Sequence, residues 1–84
     1  MAEMWETVEH WTSGDEYTDL HRDLWLNRRV GLWASGWQVV YRRGGPGKPH
    51  RRQWYASEEA ARAALADRMR QCEAEWGGAD WRRA

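Results

Sequence analysis

One segment near the end of the chain limits the folds open to everything before it. Residues 58 to 76, EEAARAALADRMRQCEAEW, place Ala61, Ala64, Leu65, Met69, Cys72 and Trp76 at spacings of three and four. That repeat lines one side of an α-helix with apolar groups. Ser57 stands where a side-chain oxygen can cap the first turn, Glu58 and Glu59 where the helix dipole favours acids, and Gly77 and Gly78 where a helix stops. A lone amphipathic helix cannot bury its own stripe, so the preceding residues must supply the opposing surface.

Those residues read as strands. Segments 37 to 43 and 50 to 56 flank GGPGKP, whose Pro46 and Pro49 cannot belong to a central strand, and together they predict a hairpin. MWETVEHW, 4 to 11, is a further strand and TSGD, 12 to 15, a turn. In 17 to 26, Leu20, Leu24 and Leu26 alternate as in a strand, while Tyr17, Leu20, Leu24 and Trp25 also fit a helix stripe with Ser13 and Glu16 as a capping box. The weak helix formers in that stretch favour strand. NRRVGLWASGW, 27 to 37, reads as an irregular loop. The expected fold is α+β: a small antiparallel sheet of three to four strands followed by one C-terminal helix packed on one face. Residues 1 to 76 form a single domain, because 84 residues cannot close a second core. Residues 77 to 84 form a short flexible tail. Eight tryptophans offset the small size.

The formal charges cancel, but not locally. Residues 1 to 27 carry seven acids against Arg22, whereas 28 to 55 carry Arg28, Arg29, Arg42, Arg43, Lys48, Arg51 and Arg52 with no acid. With Arg43 opposite His50, the hairpin register places Trp37, Val39 and Tyr41 beside Ala56, Trp54 and Arg52 toward the helix. Gln38, Val40 and Arg42 then face outward beside Tyr55, Gln53 and Arg51. In that register Arg42 opposes Arg51, a like-charge pair that costs stability. Two resolutions are open. Glu6, Glu9, Asp19 and Asp23 of the first strands neutralise the arginines within the sheet, or the arginines bind phosphate while aromatic rings stack on bases, as in proteins that hold single strands.

The second resolution predicts a small non-enzymatic nucleic-acid-binding or regulatory protein, with single strands favoured as partner. Its site residues are Arg42, Arg43, Lys48, Arg51, Arg52, Tyr55 and Trp33. Arginine grips phosphate bidentately, and the two rings would stack. The alternative is a protein-interaction module or homodimer in which the acidic first segment of one copy meets the basic hairpin of another. In order of elements, the hairpin followed by SEEAARAALADRM resembles the last part of double-stranded RNA binding domains. Glu58 and Glu59 occupy the helix start where that family has a basic pair, so no membership is read from it.

Other chemistry finds little footing. His10, His21, His50 and Cys72 lack a recognised metal spacing, RRGGPGKPH lacks the Ser or Thr and the strand-to-helix setting of a phosphate loop, and Ser13, Ser35 and Ser57 carry no local triad signature. No catalytic residue, metal or cofactor is expected. A single cysteine cannot form an internal disulfide, and no run approaches the ~18 apolar residues of a membrane span, so the expected location is the cytoplasm.

Overall fold

Alternation in the second strand sets the two sides of the whole sheet. Leu24 and Leu26 are fully buried on one side, and Asp23, Trp25 and Asn27 alternate onto the other. The computed structural model describes residues 4–15, 18–31, 35–76 and 80–84, without the side chain of Trp76. Trp33, Glu16, Tyr17, Gly77 and Gly78 of the sequence reading lie outside the described residues.

The described residues form five strands and one helix: β1 (Met4–Ser13), β2 (Arg22–Val30), β3 (Trp37–Arg43), β4 (His50–Tyr55), α1 (Glu58–Trp76) and β5 (Arg82–Arg83). The sheet is antiparallel in the order β4-β3-β2-β1-β5. The α+β reading with one C-terminal helix against the sheet therefore holds, with five strands in place of three or four. Segment 17 to 26 contributes a strand, but it starts at Arg22 and continues to Val30, through residues expected in a loop. Thr18 and His21 instead donate backbone hydrogen bonds to the carbonyls of Asp15 and Thr18, which makes a tight turn. The end of the chain also departs from a flexible tail. Arg82 and Arg83 pair with Thr12 and Trp11, the Ala84 amide donates to the His10 carbonyl, and Trp81 packs against the core.

The helix starts as its sequence requires, with Ser57 Oγ accepting from the Ala60 amide at 3.2 Å. Its stripe meets β2 and β3. Leu24, Leu26, Val39, Ala61 and Leu65 form the buried cluster, flanked by Val8, Trp11, Trp37, Tyr41, Tyr55, Ala64 and Met69. Cys72 is buried as well, and burial pushes its thiol and the Tyr41 phenol upward from their ordinary values. The helix covers this side alone.

The hairpin register differs from the expected one by a single residue. Arg42 opposes His50, Tyr41 opposes Arg51 and Trp37 opposes Tyr55. The cause lies in the loop. The Lys48 amide donates to the Gly45 carbonyl across Pro46 and Gly47, and Gly47 has φ +91°, the arrangement of a type II turn. Gly44, at φ +87°, gives its amide to the His21 carbonyl and extends the β3 side by one residue toward β2. A one-residue slip exchanges faces. Tyr55, Gln53 and Arg51 therefore turn toward the helix side, and Trp54, Arg52 and His50 turn outward, the reverse of the expectation. The facing Arg42–Arg51 pair does not form.

A second irregularity keeps β1 in phase. Thr7 opposes Asn27 but Glu9 opposes Leu26, so Val8 is an inserted residue, a β-bulge. Val8 joins Glu9 and Trp11 on the helix side, leaving Trp5, Thr7, His10 and Thr12 on the other. No helix among the described residues is long and apolar enough to cross a membrane.

Candidate nucleic-acid interface

The side of the sheet without a helix is built in rows, because cross-strand partners share a face. One row runs Thr7, Asn27, Gln38, Trp54; the next His10, Trp25, Val40, Arg52; the third Thr12, Asp23, Arg42, His50, with Arg82 of β5 beside Thr12. Trp5 and Arg29 extend it past the first row. The rows differ in chemistry: amide, then aromatic, then ionic.

The ionic row centres on Asp23, a carboxylate 2% exposed. Arg42 donates to its Oδ2 from Nη2 at 2.6 Å and from Nε at 3.2 Å. His10 Nε2 lies 2.9 Å from Oδ1, and His21 Nε2 2.9 Å from Oδ2. Burial pushes this carboxyl up, but the hydrogen bonds from His10 and Arg42 and the charges of His21 and Arg42 outweigh it, and the net shift is below the ordinary aspartate value. Asp23 thus fixes Arg42 in place. His21 Nδ1 is 3.3 Å from the Gly14 carbonyl, which holds the β1–β2 connection against the same cluster.

The aromatic row stands on that support. His10 stacks on Trp25 with centroids 4.6 Å apart and planes 17° from parallel, His50 tilts against the same ring at 5.3 Å, and the Arg42 guanidinium lies 5.1 Å from its centroid. Trp25 is therefore held flat by neighbours on three sides. Trp54 is 60% exposed beside Gln38, with Arg52 next to it on β4. A shallow groove of about 580 Å³ runs between them, lined by Trp5, Thr7, Asn27, Gln38, His50 and Arg52 among others. Across the amide row Thr7 Oγ1 donates to Asn27 Oδ1 at 2.8 Å, and Asn27 Nδ2 donates to Gln38 Oε1 at 2.9 Å.

The sequence-derived residues are divided by the sheet. Arg42 and Arg52 lie on this open face. Arg43 and Lys48 are exposed at the β3–β4 loop end, Arg51 is exposed on the helix side, and Tyr55 is half-buried there against the core. Trp33 lies outside the described residues. Sequence reasoning placed Gln38 outward but did not single out Trp5, Trp25, Trp54, His10, His50 or Asn27 for this face. Trp25 had a readable signal, since its place between Leu24 and Leu26 sends it away from the leucine side. Trp54 had none until the loop set the register.

Two acids of β1 are also engaged within the chain. Glu6 pairs with Arg28 at 2.8 Å, and Glu9 takes Arg62 of the helix as well as the Trp11 indole N–H. The Arg62 hydrogen bond holds the Glu9 carboxyl below its ordinary value against the opposing effect of burial. Among the described residues no group of three or more His, Cys, Asp or Glu side chains is placed to hold a metal ion. No protein-family model matches the chain, and no curated protein or solved structure matches it.

Proposed function

We propose that the chain is a single-stranded nucleic-acid-binding protein that lays its ligand across the helix-free face of the sheet. One observation carries the reading: the only acid alternating onto the described part of that face, Asp23, is buried, while Trp5, Trp25 and Trp54 share the face with Arg29, Arg42, Arg52 and Arg82. The exposed Trp54 ring supplies a stacking platform beside the half-buried Trp5 and Trp25, and guanidinium groups supply phosphate contacts, which together suit unpaired bases and not a duplex whose bases are already stacked. Arg42, held by Asp23, orients Trp25. Arg52, beside Trp54, is better placed to meet a phosphate.

A second copy or another protein, binding through acidic and basic segments, has less support. Three of the acids it would use are engaged at home: Asp23 with Arg42, Glu6 with Arg28, and Glu9 with Arg62.

The test is a fluorescence-anisotropy titration with single-stranded and duplex DNA and RNA oligomers at two salt concentrations, with the solution mass measured alongside. Trp54→Ala is expected to weaken single-strand binding by about 1–3 kcal/mol and duplex binding much less. Arg52→Gln should lower the slope of log affinity against log salt by about 0.7 for single strands. Absence of salt-dependent binding to every oligomer would end this reading, and a mass that falls with salt would favour the self-association alternative.

A further inference from the structure

The amide row has a direction, and the direction gives the groove a chemical preference. Thr7 donates to Asn27 and Asn27 donates to Gln38, so the Gln38 carbonyl is engaged and its Nε2 is the terminal donor of the chain. Gln38 is 4% exposed and lines the groove, and its Nε2, which has no hydrogen-bond partner among the described residues, remains open to the groove. A ligand that covers this donor must offer it an acceptor or leave it unmatched at a cost. Trp54, its cross-strand neighbour, presents a ring beside it.

Resting on the reading of this face as a single-strand site, we infer that the groove at Gln38 and Trp54 selects thymine or uracil, the base stacking on Trp54 and accepting a hydrogen bond from Gln38 Nε2. Shape alone would admit any base. The imide edge of thymine and uracil carries a carbonyl on each side of N3–H, so a carbonyl meets the Gln38 donor whichever way the ring is turned on Trp54. Adenine places an amino donor beside its ring acceptor, and in one of the two orientations it sets donor against donor. Guanine and cytosine each offer one carbonyl with an amino group across the edge. A site that hydrogen-bonds a particular group rejects bases lacking it, because the donor that the base covers is then unpaired.

The experiment compares oligo(dT) and oligo(dA) of equal length by anisotropy, using the full chain and the Gln38→Met variant, which keeps the volume and removes the donor. The parent should prefer oligo(dT) by roughly three- to tenfold more than Gln38→Met does, the share of one ordinary hydrogen bond. Stacking within oligo(dA) affects both proteins alike, so the change in ratio is the quantity read. A second arm needs no variant: the parent is titrated with oligo(dT) whose thymines are replaced by the apolar isostere difluorotoluene, which stacks but lacks carbonyl acceptors. A similar loss is expected there. Equal affinity for thymine and isostere, or the same dT:dA ratio in parent and Gln38→Met, overturns the inference while leaving single-strand binding intact. If no oligomer binds at all, the functional reading and this inference fall together.

Discussion

Replacing Asp23 with asparagine removes one charge and almost no volume, which isolates the electrostatic part of the cluster it holds. The parent carboxylate accepts from Arg42 and faces the Nε2 atoms of His10 and His21, all within 3.2 Å. An asparagine keeps one acceptor and turns an N–H₂ group toward these donors. Removing one partner of a buried ion pair typically costs 3–5 kcal/mol. Asp23 is nearly inaccessible but the Arg42 side chain is 15% exposed, so water relieves part of the loss and about 3 kcal/mol is expected. A chain of this size has about 4–13 kcal/mol in total, so the variant should unfold more than ten degrees lower, taking roughly 4–8 °C per kcal/mol. The acid limb gives an independent check. Asp23 titrates below its ordinary value in the fold, so its contribution is complete above the unfolded-state pKa of about 3.9 and disappears as pH falls through the lower folded value. Asp23→Asn should therefore lose less stability than the parent as pH falls below about 4, keeping the slope due to Glu9, which is also lowered. Urea and thermal unfolding followed by tryptophan fluorescence across that range measure both effects. An unchanged midpoint near neutral pH, or identical acid limbs, would refute the account of Asp23.

Arg42→Gln should lower stability by about 1–3 kcal/mol, as expected for losing a charged hydrogen-bond partner, whereas exposed Arg51→Gln should change it by a few tenths; equal effects in urea unfolding would contradict the observed register. Leu65→Ala should cost about 2–5 kcal/mol because the side chain sits in the buried cluster, and an unshifted denaturation midpoint would displace the stripe. Gly14→Ala should be strongly destabilising, since φ is +80° and an added Cβ would lie 2.6 Å from the Leu20 carbonyl oxygen. Calorimetry of that variant showing the parent transition temperature would reject the turn geometry.

How far the sequence reached can be traced through individual residues. The helix and its stripe were legible because Ala61, Leu65, Met69 and Cys72 repeat at helical spacing and Ser57 supplies the cap. The leucine side of β2 was legible for the same kind of reason. The hairpin was visible, but its register was not, because a glycine-rich loop can take up one residue more or less. Here Gly44 is drawn to the His21 carbonyl, a partner far along the chain. That single residue decided whether Tyr55 or Trp54 faces outward. The reading that acids of the early strands neutralise basic residues proved right at Asp23 with Arg42 and at Glu6 with Arg28. β5 left no mark in the pattern, since a two-residue strand has no period to read.

The bulge at Val8 gives β1 something like a reading frame. A strand has two letters, toward the helix and away from it, and the inserted residue is a frameshift between Thr7 and Glu9. Residues 9–13 are anchored by β5 on one side and by Leu24 and Leu26 on the other, so if the bulge flattened with Val8 retained, the slip would be absorbed upstream. Met4 to Thr7 would invert: Trp5 and Thr7 would turn under the helix side, and Met4 and Glu6 would enter the groove. Deleting Val8 would leave Thr7 opposite Asn27 and Glu9 opposite Leu26, but flattening the bulge around it would strip the groove of a tryptophan, remove the first donor of the amide row and bring in a carboxylate. In this strand the bulge itself carries more functional information than the identity of the residue that forms it.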